Sequence, residues 1–250
     1  MTELLSRDHS ILERPYMEYP PFGVNPRGEK IRDVSGVTVR ANVDYLEEVV
    51  SRAEGPEAGR QAVEELCWLL NQRQRDTAYH VTPKFLTNVW NSYSYEFVCY
   101  LGEFCRLVSK DPLFPFHVGR ERFISPIIQT LGRPFPVHQI YKMFPHFGEK
   151  FAKGSIHFEA GAVTDRSAVL RMKFMEHVYE QFGPYRKGCA ALICQSSKGG
   201  LASVPQQVHH LPPAAITDRT CIADGAEYCE WEFTWTPKHQ SGFLGPLLSG

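Results

Sequence analysis

The segment from Tyr228 to Thr236 constrains this chain more than any other. Cys229, Trp231, Phe233 and Trp235 alternate with Glu230, Glu232 and Thr234. In extended backbone the first set falls on one face and the second on the other. A strand of this kind needs a sheet with one buried face and one wet face. Its partners are legible upstream. Ser155 to Ala160 and Ala168 to Phe174 read as strands joined through Thr164-Asp165-Arg166, and Ala215 to Cys221 reads as a short strand after the turn at Leu211-Pro212-Pro213.

From Val43 to Phe151 the apolar positions carry a helical period. Leu46, Val49, Val50, Ala62, Val63, Leu66, Leu69 and Leu70 predict two helices broken at Gly55-Pro56. One long aromatic helix is expected over 87–108, with Trp90, Tyr93, Tyr95, Phe97, Tyr100 and Phe104, ended by Pro112 to Pro115. Two further helices, Arg120 to Leu131 and Pro136 to Phe151, follow, kinked or shortened by Pro126 and Pro145. Tyr185 to Val208 is mainly helical, weakened by Gly199-Gly200 and limited by Pro205. Helices first, then a mostly antiparallel sheet with one helix inserted, define an α+β class. Residues 1–36, rich in proline, are expected to form an extended or loosely docked arm. Residues 37–236 form one domain, and 237–250 form a tail or the start of a linker to an effector.

Composition narrows the function classes. The 250 residues are 43% apolar and 22% charged, ordinary values for a globular chain. A net charge of -1 argues against nucleic acid or an anionic membrane as partner. The first twenty residues lack the apolar core of a signal peptide and no uncharged stretch is long enough to span a bilayer, so a cytoplasmic chain is expected. Seven cysteines, an odd number, argue against a disulfide framework.

Four residues near the C-terminus read as one metal site. Cys221 and Cys229 flank a turn containing Gly225, Asp218 lies three residues before Cys221, and Cys194 can reach them from the preceding helix. Three thiolates and a carboxylate suit structural zinc better than calcium or magnesium. The alternative is that these cysteines are small buried apolar side chains. A second candidate is an aromatic cavity. His138 and His146, eight residues apart, flank Tyr141 and Phe144 and could anchor a phenolic or carbonyl ligand, with Trp90 lining the same pocket. Structurally these histidines could equally be partly exposed helix residues. His209-His210 reads as a loop pair. Haem is not expected, because Tyr185-Arg186-Lys187-Gly188-Cys189 does not supply a Tyr-x-Ser-x-Arg propionate pattern. No nucleophile elbow, phosphate loop or dinucleotide fingerprint is present.

Cys194, Lys198-Gly199, Leu211-Pro212-Pro213, Cys221 with its preceding acid, Gly225, Cys229 and the aromatic strand together resemble the 4-vinyl reductase family. That family includes sensor domains of phenol-responsive activators and N-terminal domains of bacterial cyclases and kinases. The resemblance implies a sandwich related to trafficking-complex subunits with an internal ligand cavity, and a zinc site in which Cys194, Cys221 and Cys229 are ligands and Asp218 stands at the acidic position. The expected function is a homodimeric sensory domain that binds an apolar or aromatic molecule and controls an effector. A stand-alone enzyme or carrier for a hydrophobic tetrapyrrole or natural product is the alternative.

Overall fold

The computed structural model describes residues 10–152 and 154–237. Residues 1–9 of the expected arm, and the expected tail from residue 238 onward, lie outside the described residues. The helical half begins with β1 (Val34–Ser35), α1 (Gly36–Glu54) and α2 (Pro56–Gln72). The break between the helices falls at Gly55, whose φ of 101° suits only a residue without Cβ, and Pro56 opens α2 because its missing N–H is not needed there. Leu46, Leu66 and Leu70 form part of the seam the periodicity predicts, each at most 1% exposed.

A short α3 (Pro83–Leu86) comes first, and the single helix expected over 87–108 is instead a turn, β2 (Ser92–Tyr93) and then α4 (Tyr95–Ser109). Polar side chains cause the difference. Asn91 donates its amide to the Phe85 carbonyl at 3.0 Å, while Ser94 caps α4 by accepting from the Phe97 N–H. β2 then pairs antiparallel with β1, Val34 opposite Tyr93. Pro115, expected to end a helix, sits in the first turn of α5 (Phe114–Arg122), where proline is tolerated.

Residues 10–33 pack on these helices, with Ile11 1% and Ile31 3% exposed. The Arg14 guanidinium meets the buried carboxylate of Glu96, which also accepts the backbone N–H groups of Glu18 and Tyr19. Gln181 completes this network. Its carbonyl oxygen accepts the Tyr95 N–H at 2.8 Å and its amide donates to Asp33 at 2.7 Å.

After α6 (Pro126–Gly132) and α7 (Val137–Phe151) come β3 (Ile156–Val163), β4 (Ser167–Phe174) and a short α8 (Glu176–Phe182). The long α9 (Arg186–His209), β5 (Ala215–Thr220) and β6 (Cys229–Thr234) complete the described fold. The sheet is antiparallel throughout, in the order β3-β4-β6-β5. Ala168, Leu170, Met172, Cys229, Trp231 and Phe233 are fully buried on its inner side. The predicted alternation of β6 is therefore present, and the α+β class holds.

Two features of α9 explain why glycine and proline do not break it. A Cβ on Gly199 would stand 2.0 Å from the Phe116 carbonyl oxygen, and one on Gly119 would stand 2.1 Å from the Ser196 carbonyl oxygen. The glycines let α5 and α9 touch backbone to backbone. Pro205 cannot donate to the Leu201 carbonyl one turn back, and the Tyr141 hydroxyl donates to that oxygen instead, at 2.8 Å.

Candidate functional site

Three cysteines converge where α9 meets the β5–β6 connection. Thr220 pairs with Glu230, so continuing the register by one residue places Cys221 beside Cys229. The connection closes through Gly225, whose φ of 94° is left-handed. Cys194, on α9, comes down on the pair. The Sγ separations are 3.9 Å from Cys194 to Cys221 and 3.8 Å from Cys229 to Cys221, and all three sulfurs lie within 4.8 Å of one another. Cys194 and Cys229 are buried, whereas Cys221 is half-buried.

The sulfurs are electrostatically unlike. Cys221 is held far below the usual thiol range by hydrogen bonds from Cys194 and then Cys229, with the Ala223 N–H and the Lys198 ammonium adding to them against burial. Cys194 is raised by its hydrogen bonds to Cys221 and Cys229 and by burial. Cys229 is pushed up to about 12: its bond with Cys194 lowers it, but its bond to Cys221 and burial outweigh that. The cluster thus favours one thiolate shared among three sulfurs.

Asp218 does not join them. Its exposed carboxylate takes the Lys198 ammonium at 2.6 Å. Among the described residues no fourth histidine, cysteine, aspartate or glutamate stands with the three thiols. The closed four-ligand arrangement expected of structural zinc is therefore not formed by protein groups here. The sequence marked Lys198 only as part of the Lys198-Gly199 pair and gave it no role beside the thiols. Its position four residues after Cys194 places both on one face of α9, a spacing that could have revealed it.

The aromatic candidates are distributed differently from the expectation. Tyr141 is fully buried, its ring stacked on Phe233 and Trp235 at centroid distances of 5.6 and 5.0 Å. Phe144, also on α7, meets Phe158 edge-on at 5.0 Å and Phe123 at 6.2 Å. His138 sits near the surface with Nδ1 3.5 Å from Asp165, and His146 is exposed against Phe147. Trp90 is 91% exposed. Of the five expected ligand residues, the fold thus brings Tyr141 and Phe144 to the helix–sheet interior and leaves His138, His146 and Trp90 outside it.

A different polar group faces that interior. The indole Nε1 of Trp231, 0% exposed, has no hydrogen-bond partner among the described residues. An unmatched buried donor of this kind costs roughly 1–3 kcal/mol. The alternation of β6 placed Trp231 on the buried face, and its N–H was the signal available from sequence.

No family model matches the sequence, and no curated protein matches it. Solved structures do share the fold. The Fe(II) unliganded H-NOX protein from K. algicida superimposes with a TM-score of 0.52 at 11% identity, covering 87% of this chain and 100% of that one. An H-NOX protein from S. oneidensis, solved in its Fe(II)NO state, gives a TM-score of 0.51 at 14% identity over 81% and 99% of the two chains. A variant of the S. oneidensis protein in the Fe(II) state gives 0.52 at 14% identity over 81% and 96%. The chain has an H-NOX-like α+β fold.

Two expectations are corrected by this. The resemblance to the 4-vinyl reductase family does not hold, since the structures that share the architecture are H-NOX proteins. It had rested on cysteine, glycine and aromatic spacings in one hairpin and helix, which record local geometry more than descent. Structural zinc is likewise overturned. The H-NOX structures carry iron, in Fe(II) states, and the thiol cluster here lacks the fourth protein ligand.

Proposed function

We propose that this chain is a sensory domain of H-NOX architecture that binds a small molecule against its sheet and passes occupancy to an effector. The extent of the fold likeness, 87% of this chain and all of the K. algicida chain, is the observation that carries this reading. A ligand of this domain acts through its differential affinity for two packings, and α7 lies in the right place to report it. Tyr141 of that helix is locked to both the sheet aromatics and the Leu201 carbonyl of α9.

Iron bound as haem requires an axial histidine, cysteine thiolate or tyrosinate. The residues here do not fit that requirement. Among the described residues no histidine is buried as a whole, and the one with a ring nitrogen shielded from solvent, His209, stands half-buried in the last turn of α9. The Tyr141 phenol is committed to Leu201, and burial holds its pKa well above the ordinary tyrosine value, so it stays a neutral donor. The clustered thiols face one another at the end of the sheet.

The ligand is instead a small apolar or aromatic molecule with one accepting oxygen. Aromatic rings supply its surroundings, and the unmatched Trp231 N–H supplies one directional contact, the usual composition of a small-molecule site. Trp231→Phe keeps the ring and removes the donor. In calorimetric titration with a panel of monocyclic phenols, the wild type should bind at least one, and the variant should bind it about tenfold more weakly, the equivalent of about 1.4 kcal/mol. Equal affinity in both proteins, or binding of hemin with a sharp Soret band in place of phenols, would contradict the reading.

A further inference from the structure

We propose that the cleft between residues 15–17 and the end of α2 is a binding site for an adenine mononucleotide, separate from the ligand at the sheet. The cleft encloses about 580 Å³, within the range of small-molecule sites, and Tyr16, Asn71, Gln72, Arg75, Thr77 and His80 line it. Its two sides are already fixed. The Asn71 amide donates to the Val81 carbonyl at 3.0 Å, and its oxygen accepts the Val81 N–H at 2.7 Å. Arg73 ties the other side, since its guanidinium donates to the Pro15 carbonyl at 3.1 Å and its own carbonyl accepts the Met17 N–H at 2.9 Å. The walls are therefore held while the groups that face the cleft are not.

Among the described residues the side chains of Gln72, Thr77 and His80 make no hydrogen bond or ion pair. Arg75 meets only the Tyr16 ring, its guanidinium carbon 4.6 Å from the ring centroid. That contact steadies the charge and leaves the N–H groups for an anion. No carboxylate lines the cleft, and the neighbouring Asp76 turns its own to the Ala78 N–H at 2.9 Å, capping the turn Thr77–Tyr79. Positive charge stands here without a counter-ion. Each part of a nucleotide finds a matching group. The Tyr16 ring, 40% exposed, can stack on a base, and the Gln72 amide offers the donor and acceptor that the edge of adenine requires. Arg75, His80 and the Thr77 hydroxyl can hold one phosphate. A net charge of -1 leaves no basic track for a nucleic-acid strand, so a single nucleotide is the occupant. Tyr16 lies two residues from Arg14 and from Glu18, both bound to Glu96, so an occupant bridging Tyr16 to α2 would brace the packed arm as well.

Amide NMR spectra of the whole chain, titrated with adenosine monophosphate, should shift saturably at Tyr16 and from Asn71 to His80. Adenosine alone and inorganic phosphate alone should each bind at least about tenfold more weakly than the nucleotide. Arg75→Ala should weaken the nucleotide at least about tenfold, and Gln72→Leu should weaken it while leaving inorganic phosphate unchanged. Arg60→Ala, on the same helix but paired with Glu57 at the surface, should bind as the wild type does. All three positions are exposed, so these variants should fold. An absence of saturable shifts with adenosine monophosphate, shifts centred elsewhere, inorganic phosphate binding as tightly as the nucleotide, or equal losses in Arg75→Ala and Arg60→Ala would each overturn the proposal.

Discussion

Glu96→Ala should destabilise the domain by about 3–5 kcal/mol, because it strands the Arg14 guanidinium in a site where that residue is 5% exposed. The carboxylate at 0% exposure answers more than one donor. Arg14 and the backbone N–H groups of Glu18 and Tyr19 all converge on it. Arg14 is itself fixed from the other side, through its carbonyl by the Tyr100 hydroxyl at 2.7 Å and through its guanidinium by the Gln181 carbonyl at 3.3 Å. Removing Glu96 therefore loosens residues 10–19 from α4 and leaves several polar groups to be rehydrated. Glu48 offers the contrast. Its carboxylate meets Arg52 and Arg122 at the surface, and Glu48→Ala should lose less than about 1 kcal/mol. Urea unfolding distinguishes the two, as a large midpoint shift for Glu96→Ala against a small one for Glu48→Ala, at similar slope.

Gly199→Ala should destabilise by roughly 3 kcal/mol, at the upper end of overpacking effects, although alanine is the better helix former by about 1 kcal/mol. The new methyl would stand 2.0 Å from the Phe116 carbonyl oxygen and 2.9 Å from the Arg120 nitrogen, both backbone atoms that move only if α5 moves. Gly102→Ala should have the opposite sign. It also lies inside a helix, but there a Cβ would meet Leu192 methyl groups at 3.8 and 3.9 Å, ordinary contact. That substitution should stabilise by about 0.5–1 kcal/mol. The same change at two helical glycines thus separates helix propensity from close packing, and thermal unfolding reads the sign directly.

These contrasts mark where sequence reading ends. The alternation from Cys229 to Trp235 located the buried face of the sheet, and Gly55-Pro56 located a helix break, because both are written in neighbouring residues. Gly199 was legible as a weak point and not as a crossing, since its partner Phe116 lies 83 residues away in the chain and only the tertiary approach of α5 gives the glycine its reason. Pro205 was expected to limit α9, and the helix continues because the released Leu201 carbonyl finds the Tyr141 hydroxyl, another long-range event. The seven-residue α8 went unseen, too short to show a helical period.

At the site, hairpin spacing made the approach of Cys221 and Cys229 readable. Asp218 was misplaced because a carboxylate chooses among partners in space. Lys198, a full opposite charge one helical turn from Cys194, took it away from the sulfurs. Aromatic residues on α7 could be assigned to the interior by periodicity, but Trp90 could not. Its neighbours Asn88 and Asn91 build a turn that holds the indole in solvent, which a helical reading of the segment hid.

We propose that an H-NOX-like architecture here serves a small organic ligand instead of iron in a porphyrin. Native mass spectrometry of the chain purified from cells without added ligand, with the absorption spectrum of the same sample, tests it most directly. A population carrying one small organic molecule, diminished in Trp231→Phe, is expected, with no porphyrin absorbance. One iron porphyrin per chain, retained through purification, would contradict it.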